Sequence, residues 1–90
     1  MSKRIHAYVS GRVQGVFFRS FVRGQANLKC LTGWVRNLHD GRVEIVAEGD
    51  PDRVDDFLGL IRAGSTGAKV ESVEVKDETP SHKFQGFSIR

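Results

Sequence analysis

Along this chain the hydrophobic period switches back and forth between two residues and about four, and the order of the switches leaves few ways to fold it. Ile5, Ala7 and Val9 alternate with His6, Tyr8 and Ser10, the pattern of a half-buried strand. Phe18, Val22, Ala26 and Cys30 then recur every four residues with Phe21 beside them, which predicts a short helix with one apolar stripe. Gly24 falls inside that helix and costs it about 1 kcal/mol relative to alanine, so the helix depends on packing. "GWVRNL" reads as a second strand and "RVEIVAE" as a third, with Val43, Ile45 and Ala47 on one face. The Asp-Gly of "HDG" between them is a hairpin signal that makes the two strands antiparallel neighbours.

A second helix is marked at both ends. Asp50 caps it, Pro51 suits its first position, Val54, Phe57, Leu58 and Ile61 form its stripe, and Gly64 ends it. After the small-residue loop "STGA", "VESVEVK" reads as a fourth strand with Val73 and Val75 inward. Val70 is out of phase with them, which places it at the strand entry or in a bulge. The polar turn "DETPSHK" leads to a short last strand containing Phe84, Phe87 and Ile89.

Two amphipathic helices interleaved with these strands can cover one face of an antiparallel sheet. The expected fold class is therefore α+β, a ferredoxin-like split βαβ sandwich ordered βαββαβ with a short C-terminal strand. Ninety residues suffice for one hydrophobic core and not for two, so residues 1–90 are read as a single domain. Apolar residues at 39% and charged residues at 28% exclude a disordered chain, and no apolar run approaches the length of a membrane span. "MSKRIHAYV" carries no apolar stretch of export-signal length, and the one cysteine, Cys30, suits a reducing compartment; both point to the cytoplasm.

The charge is unevenly spread. Residues 1–43 hold eight Lys/Arg against the single acid Asp40, and residues 44–90 hold six against ten. Such asymmetry fits either a solvated basic face or an anionic ligand near the N-terminal half, a small phosphate compound or a nucleic acid.

The loop that joins the first strand to the first helix, "GRVQGVFFR", lies in that basic half. Glycine lets a ligand approach the main chain closely, and a loop turning into a helix start aims unpaired N–H groups in one direction. Gln14, Gly15, Val16, Phe17 and Phe18 thus form a candidate anion cradle. Arg19, in the first helical turn, is unfavourable against the helix dipole unless a bound phosphate reverses that penalty by taking paired hydrogen bonds from its guanidinium. The loop is not a Walker P-loop, because no Gly-Lys-Ser/Thr follows. Asn37, at the end of the second strand, is neutral and can hold a water beside a phosphate without repelling it, although it is too weak to serve as a base.

Other chemistries find less support. Cys30 has no histidine nearby in sequence to activate it as a nucleophile. His6, His39 and His82 are too dispersed for metal-ligand spacing, so no metal and no cofactor is expected. Trp34 reads as core or sheet packing. "KFQGFSIR" loosely resembles the aromatic strand motif of RNA-recognition domains, but it stands on the last strand and the third strand offers no aromatics. An RNA-binding domain and a phosphate-binding module without turnover remain the alternatives to an enzyme.

"GRVQGVFFR", followed by "GWVRNLHDGRVEIVAEG", "FLGLIRAG" and "AKVESVEV", resembles the acylphosphatase family over nearly the whole chain. The resemblance implies the ferredoxin-like fold and hydrolysis of the carboxyl-phosphate anhydride of acyl phosphates to a carboxylate and inorganic phosphate. It also implies that Arg19 binds phosphate, that the 14–18 backbone cradles it, and that Asn37 orients the attacking water. The partner would be a small-molecule acyl phosphate and no nucleic acid or membrane, and the protein a monomer. Three departures stand out: "LKCL" puts Cys30 where the first helix commonly ends on glycine, "AGSTGA" lacks prolines often found there, and Phe17 occupies a position that is often glycine.

Overall fold

A computed structural model describes residues 1–90. Its elements run in the order β1 (Lys3–Arg12), α1 (Phe18–Leu28), β2 (Thr32–Asn37), β3 (Val43–Gly49), α2 (Pro51–Ala63), β4 (Lys69–Glu78) and β5 (Phe87–Ile89). The five strands form one sheet in the order β4-β1-β3-β2-β5. All pairings are antiparallel except β2 with β5. β1 and β2 flank β3, so α1 must cross over β3, just as α2 crosses over β1 to join β3 to β4. This interleaving is the split βαβ arrangement.

The alternation read in the sequence sorts the sheet into two faces. Ile5, Ala7, Val9, Val35, Val43, Ile45, Ala47 and Phe87 meet Phe18, Val22 and Ala26 of α1 and Val54, Phe57, Leu58 and Ile61 of α2 in one buried core. Val70, Val73 and Val75 all pack against this core. They can do so despite their spacing because the β1–β4 register shifts between Ser10 and Gly11: Ser10 faces Ser72 and Gly11 faces Val70, leaving Glu71 as the extra residue of a bulge. Gly33 marks the tightest point of the sheet. Its φ is 140°, and a Cβ there would lie 1.9 Å from the Val46 carbonyl oxygen, so no other residue fits.

Two sequence expectations are corrected. The four-residue stripe carries α1 to Cys30, but the helix ends at Leu28 and Cys30 is exposed at φ 57°. The Cys30 N–H donates to the Asn27 carbonyl and the Leu31 N–H to that of Ala26, a Schellman stop in which Cys30 takes the left-handed position that glycine usually fills. Phe84 is outside β5, its ring lying 5.2 Å beneath the Arg4 guanidinium. The chain cannot extend the strand back to it because Glu48, 4% exposed, accepts hydrogen bonds from the backbone N–H groups of Ser81 and His82 at 2.8 Å each and turns the segment.

The face without helices is held by charge. Glu44, 5% exposed, lies at its centre between Arg36 and His6, whose Nε2 is 2.6 Å from Glu44 Oε2. The other ring nitrogen of His6 is 2.9 Å from Glu78, to which Arg4 also donates. Burial pushes the Glu44 carboxyl up, yet hydrogen bonds from His6 and Arg36 outweigh it and the net shift is downward. Glu48 follows the same pattern, with burial opposed by the Ser81 and His82 N–H groups, and Glu78 is lowered chiefly by its hydrogen bond to His6. A carboxylate whose folded pKa lies below its unfolded value contributes stability that is present above the ordinary glutamate range and lost as pH falls through the folded value. Thermal unfolding followed against pH should therefore show Tm falling below about pH 4.3, the unperturbed glutamate value. Glu44→Gln should lower Tm at pH 7 and flatten that acid decline; an unchanged decline would place the acid sensitivity elsewhere.

Candidate active site

The site follows from chain direction. β1 and β2 are parallel, and α1 runs back between them, so its N-terminus lies at the same end of the sheet as the last residue of β2, which is Asn37. β5, parallel to β2, brings Ile89 opposite Val35 at that end. A pocket of about 310 Å³ opens there, lined by Val13, Gly15, Phe17, Phe18, Arg19, Ser20, Asn37 and Ile89.

Of the residues expected to form a cradle, Gly15, Phe17 and Phe18 line this pocket together with Arg19 and Asn37. Gln14 and Val16 do not. The Gln14 side chain turns the other way, its Nε2 donating to the carbonyls of Leu38 at 2.8 Å and Arg42 at 2.9 Å, which ties the loop to the β2–β3 turn. Val16 packs against the core. Val13, Ser20 and Ile89 were not expected at the site. Ser20 could have been found one residue beyond Arg19 in the first helical turn, whereas Ile89 arrives only through the β2–β5 pairing.

The loop's backbone is rich in free donors. The first helical hydrogen bond runs from the Phe21 N–H to the Phe17 carbonyl, and no backbone N–H from Gln14 through Ser20 has a protein acceptor. Gly15 at φ 73° and Phe17 at φ 58° are left-handed, which bends this run of N–H groups into a concave nest of the kind that holds anions. No acidic residue occupies the first turn of α1. Arg19 adds its guanidinium to the rim, so the local field favours a negative charge.

Asn37 supplies the opposing wall. Its Oδ1 is buried and no protein donor reaches it. A buried amide oxygen without a partner is uncommon in folded proteins. Because no bond holds that oxygen inward, a half-turn about χ2 exchanges the two ends of the carboxamide within nearly the same outline and presents the acceptor to the pocket. The lining holds no His, Cys, Asp or Glu, and no group of three such residues anywhere in the chain is placed to hold a metal ion.

Phe17 is the anomaly of the loop. It is 87% exposed, so its ring contributes little burial, and its left-handed backbone costs about 1–2 kcal/mol relative to a right-handed one. Phe17→Gly removes that strain at the expense of about 0.5–1 kcal/mol of chain entropy. Urea denaturation should accordingly find the variant as stable as the parent or slightly more so. A loss above about 1 kcal/mol would mean that the ring is a packing element after all.

Fold and pocket together define the class: a ferredoxin-like α+β protein with a nest of unpaired backbone N–H groups at the start of its first helix. A family model described as Acylphosphatase matches residues 5–89. The chain is 49% identical over 89 residues to a protein named acylphosphatase from Rubrobacter xylanophilus, a match covering 99% of this chain and 81% of that one. Among solved structures, an acylphosphatase from Bacillus subtilis superposes with a TM-score of 0.94 at 40% identity, covering 100% of this chain and 99% of the other. One from Coxiella burnetii gives 0.94 at 39% identity, covering 99% and 93%. This chain belongs to the acylphosphatase family, a family of hydrolases.

Proposed function

We propose that this chain hydrolyses small-molecule acyl phosphates, with the phosphoryl group held in the nest. The observation that carries this reading is the unbroken run of unpaired backbone N–H groups from Gln14 through Ser20, opening into a pocket that also holds Arg19 and Asn37. An acyl phosphate is an activated anhydride whose leaving carboxylate is stable, so no strong general acid is needed. Positioning and charge stabilisation suffice. In the loose transition state of phosphoryl transfer, charge spreads over the equatorial oxygens, which the N–H groups and the Arg19 guanidinium hold. Asn37 accepts a hydrogen bond from the attacking water and aims it at phosphorus. The water's proton passes to a phosphate oxygen, the P–O bond to the acyl group breaks, and carboxylate and inorganic phosphate leave.

The same geometry counts against RNA. Trp34 lies under the guanidinium groups of Arg36 and Arg90, at 5.1 and 4.8 Å, and Tyr8 under that of Arg42 at 4.8 Å, so the aromatic faces of the open sheet are already covered. The reading is of a cytoplasmic monomer that needs no metal: the exposed thiol of Cys30 suits a reducing compartment, and the pocket offers a phosphate amides and arginine without a metal-ligand set.

Hydrolysis of acetyl phosphate in excess chelator is the direct test. Full activity is expected; loss restored by a divalent ion would refute the mechanism, and binding without turnover would leave a phosphate-binding module. Asn37→Ala should lower kcat by about 10²–10³-fold, comparable to the loss of one preorganised donor, while competitive inhibition by inorganic phosphate changes little. Arg19→Lys should be nearly as inactive as Arg19→Ala, since a point charge lets the phosphate pivot out of line where the planar fork holds it. A lysine variant with most of the activity would reduce Arg19 to a diffuse field.

A further inference from the structure

Beside the pocket runs a second, more open groove of about 610 Å³. Val16, Phe17, Ser20 and Phe21 form one side, and the loop from Gly64 to Thr66, between α2 and β4, forms the other. Phe17 and Ser20 line both cavities, so Phe17 is the ridge between them. The two differ in chemistry. The pocket has Arg19 and the loop's free N–H groups, whereas the groove is lined by apolar side chains, hydroxyls and a glycine, with no charged residue.

An acyl phosphate is divided in the same way. Its phosphoryl end carries the charge, and its acyl end, one bond from the bridging oxygen, must leave the nest in some direction. The groove adjoins the pocket and shares Phe17 and Ser20 with it. A carboxylate or ammonium on the acyl group would lose water there and meet no opposite charge, while an apolar group would cover the exposed Phe17 ring and the Phe21 edge of the core. The fold itself derives little from that ring, which is 87% exposed on a left-handed backbone that glycine would adopt without strain.

We infer that this groove is the acyl-group subsite, that Phe17 is its specificity-determining residue, and that the enzyme favours acyl phosphates with uncharged, apolar acyl groups over small ones. The inference rests on the phosphate-site reading above and adds the direction and chemistry of the acyl group. Its test is the ratio of kcat/KM for benzoyl phosphate to that for acetyl phosphate, because any disturbance of the loop backbone acts on the phosphoryl group common to both and cancels in the ratio. Phe17→Gly should lower the ratio about tenfold, through KM of the aryl substrate, and Phe17→Leu, which keeps an apolar ridge, should hold it within about threefold of the parent. An unchanged ratio in Phe17→Gly, with both substrates still hydrolysed, would overturn the subsite and leave the phosphate site standing. Failure of the parent protein to hydrolyse either substrate would overturn both.

Discussion

Two hydrogen bonds from one side chain join the parts of the site. Gln14 Nε2 donates to the carbonyls of Leu38 and Arg42, the residues that close the β2–β3 turn through the Leu38 N–H to the Arg42 carbonyl at 2.8 Å. The loop ahead of α1 is otherwise held by the packing of Val13 and Val16 on the core, and its run of N–H groups makes no internal bonds to stiffen it. Tethering it to the turn fixes the nest relative to the end of β2, where Asn37 stands. In the proposed mechanism a phosphate held on one side and a water aimed from the other need that distance constant, because misplacement by an ångström is enough to lose much of the rate advantage of proximity.

The sheet divides its work between faces. The inner face is apolar and needs only shape, so it sets which helices lie where. The outer face buries Glu44 and Glu48, which are tolerable there because each accepts several hydrogen bonds. Glu48 also reaches the site at a distance. By turning the chain at Ser81 and His82 it lets residues 87–89 return beside β2, and that return brings Ile89 to the pocket. The far wall of the pocket thus depends on a buried carboxylate on the opposite side of the sheet.

α1 begins and ends on non-glycine residues in the left-handed region, Phe17 and Cys30. The resemblance to the family marked both as positions where glycine is usual. They differ in what their side chains meet. Cys30 is exposed at a helix stop and lines none of the pockets, so its conformation is a local cost of the Schellman turn. Phe17 lines two adjoining cavities, so the same backbone conformation there presents a side chain to the candidate site.

Most of the fold was legible because its signals are local. Asp50 caps α2 by accepting from the Asp52 N–H, Pro51 and Gly64 bound it, and the period-two runs of β1 and β3 identify their buried faces without reference to anything distant. Even the bulge at Glu71 showed as a broken phase at Val70. Arg19 and Asn37 were legible as residue types in a motif, and by resemblance as members of a site. The misses were of another kind. The periodicity does not distinguish Cys30 from one more residue of the α1 stripe, because the helix stop puts a cysteine where a glycine would have signalled it. Phe84 looks like the start of β5 because the carboxylate that captures the chain before it, Glu48, lies more than thirty residues away. The tether made by the Gln14 side chain was not legible either, because its partners lie more than twenty residues away. The sequence by itself determined most of the elements, their buried faces and the candidate residues of the site. Only the tertiary structure decided which of them share a pocket, because that depends on strand order and on a few long-range hydrogen bonds, and a chain's periodicity records neither.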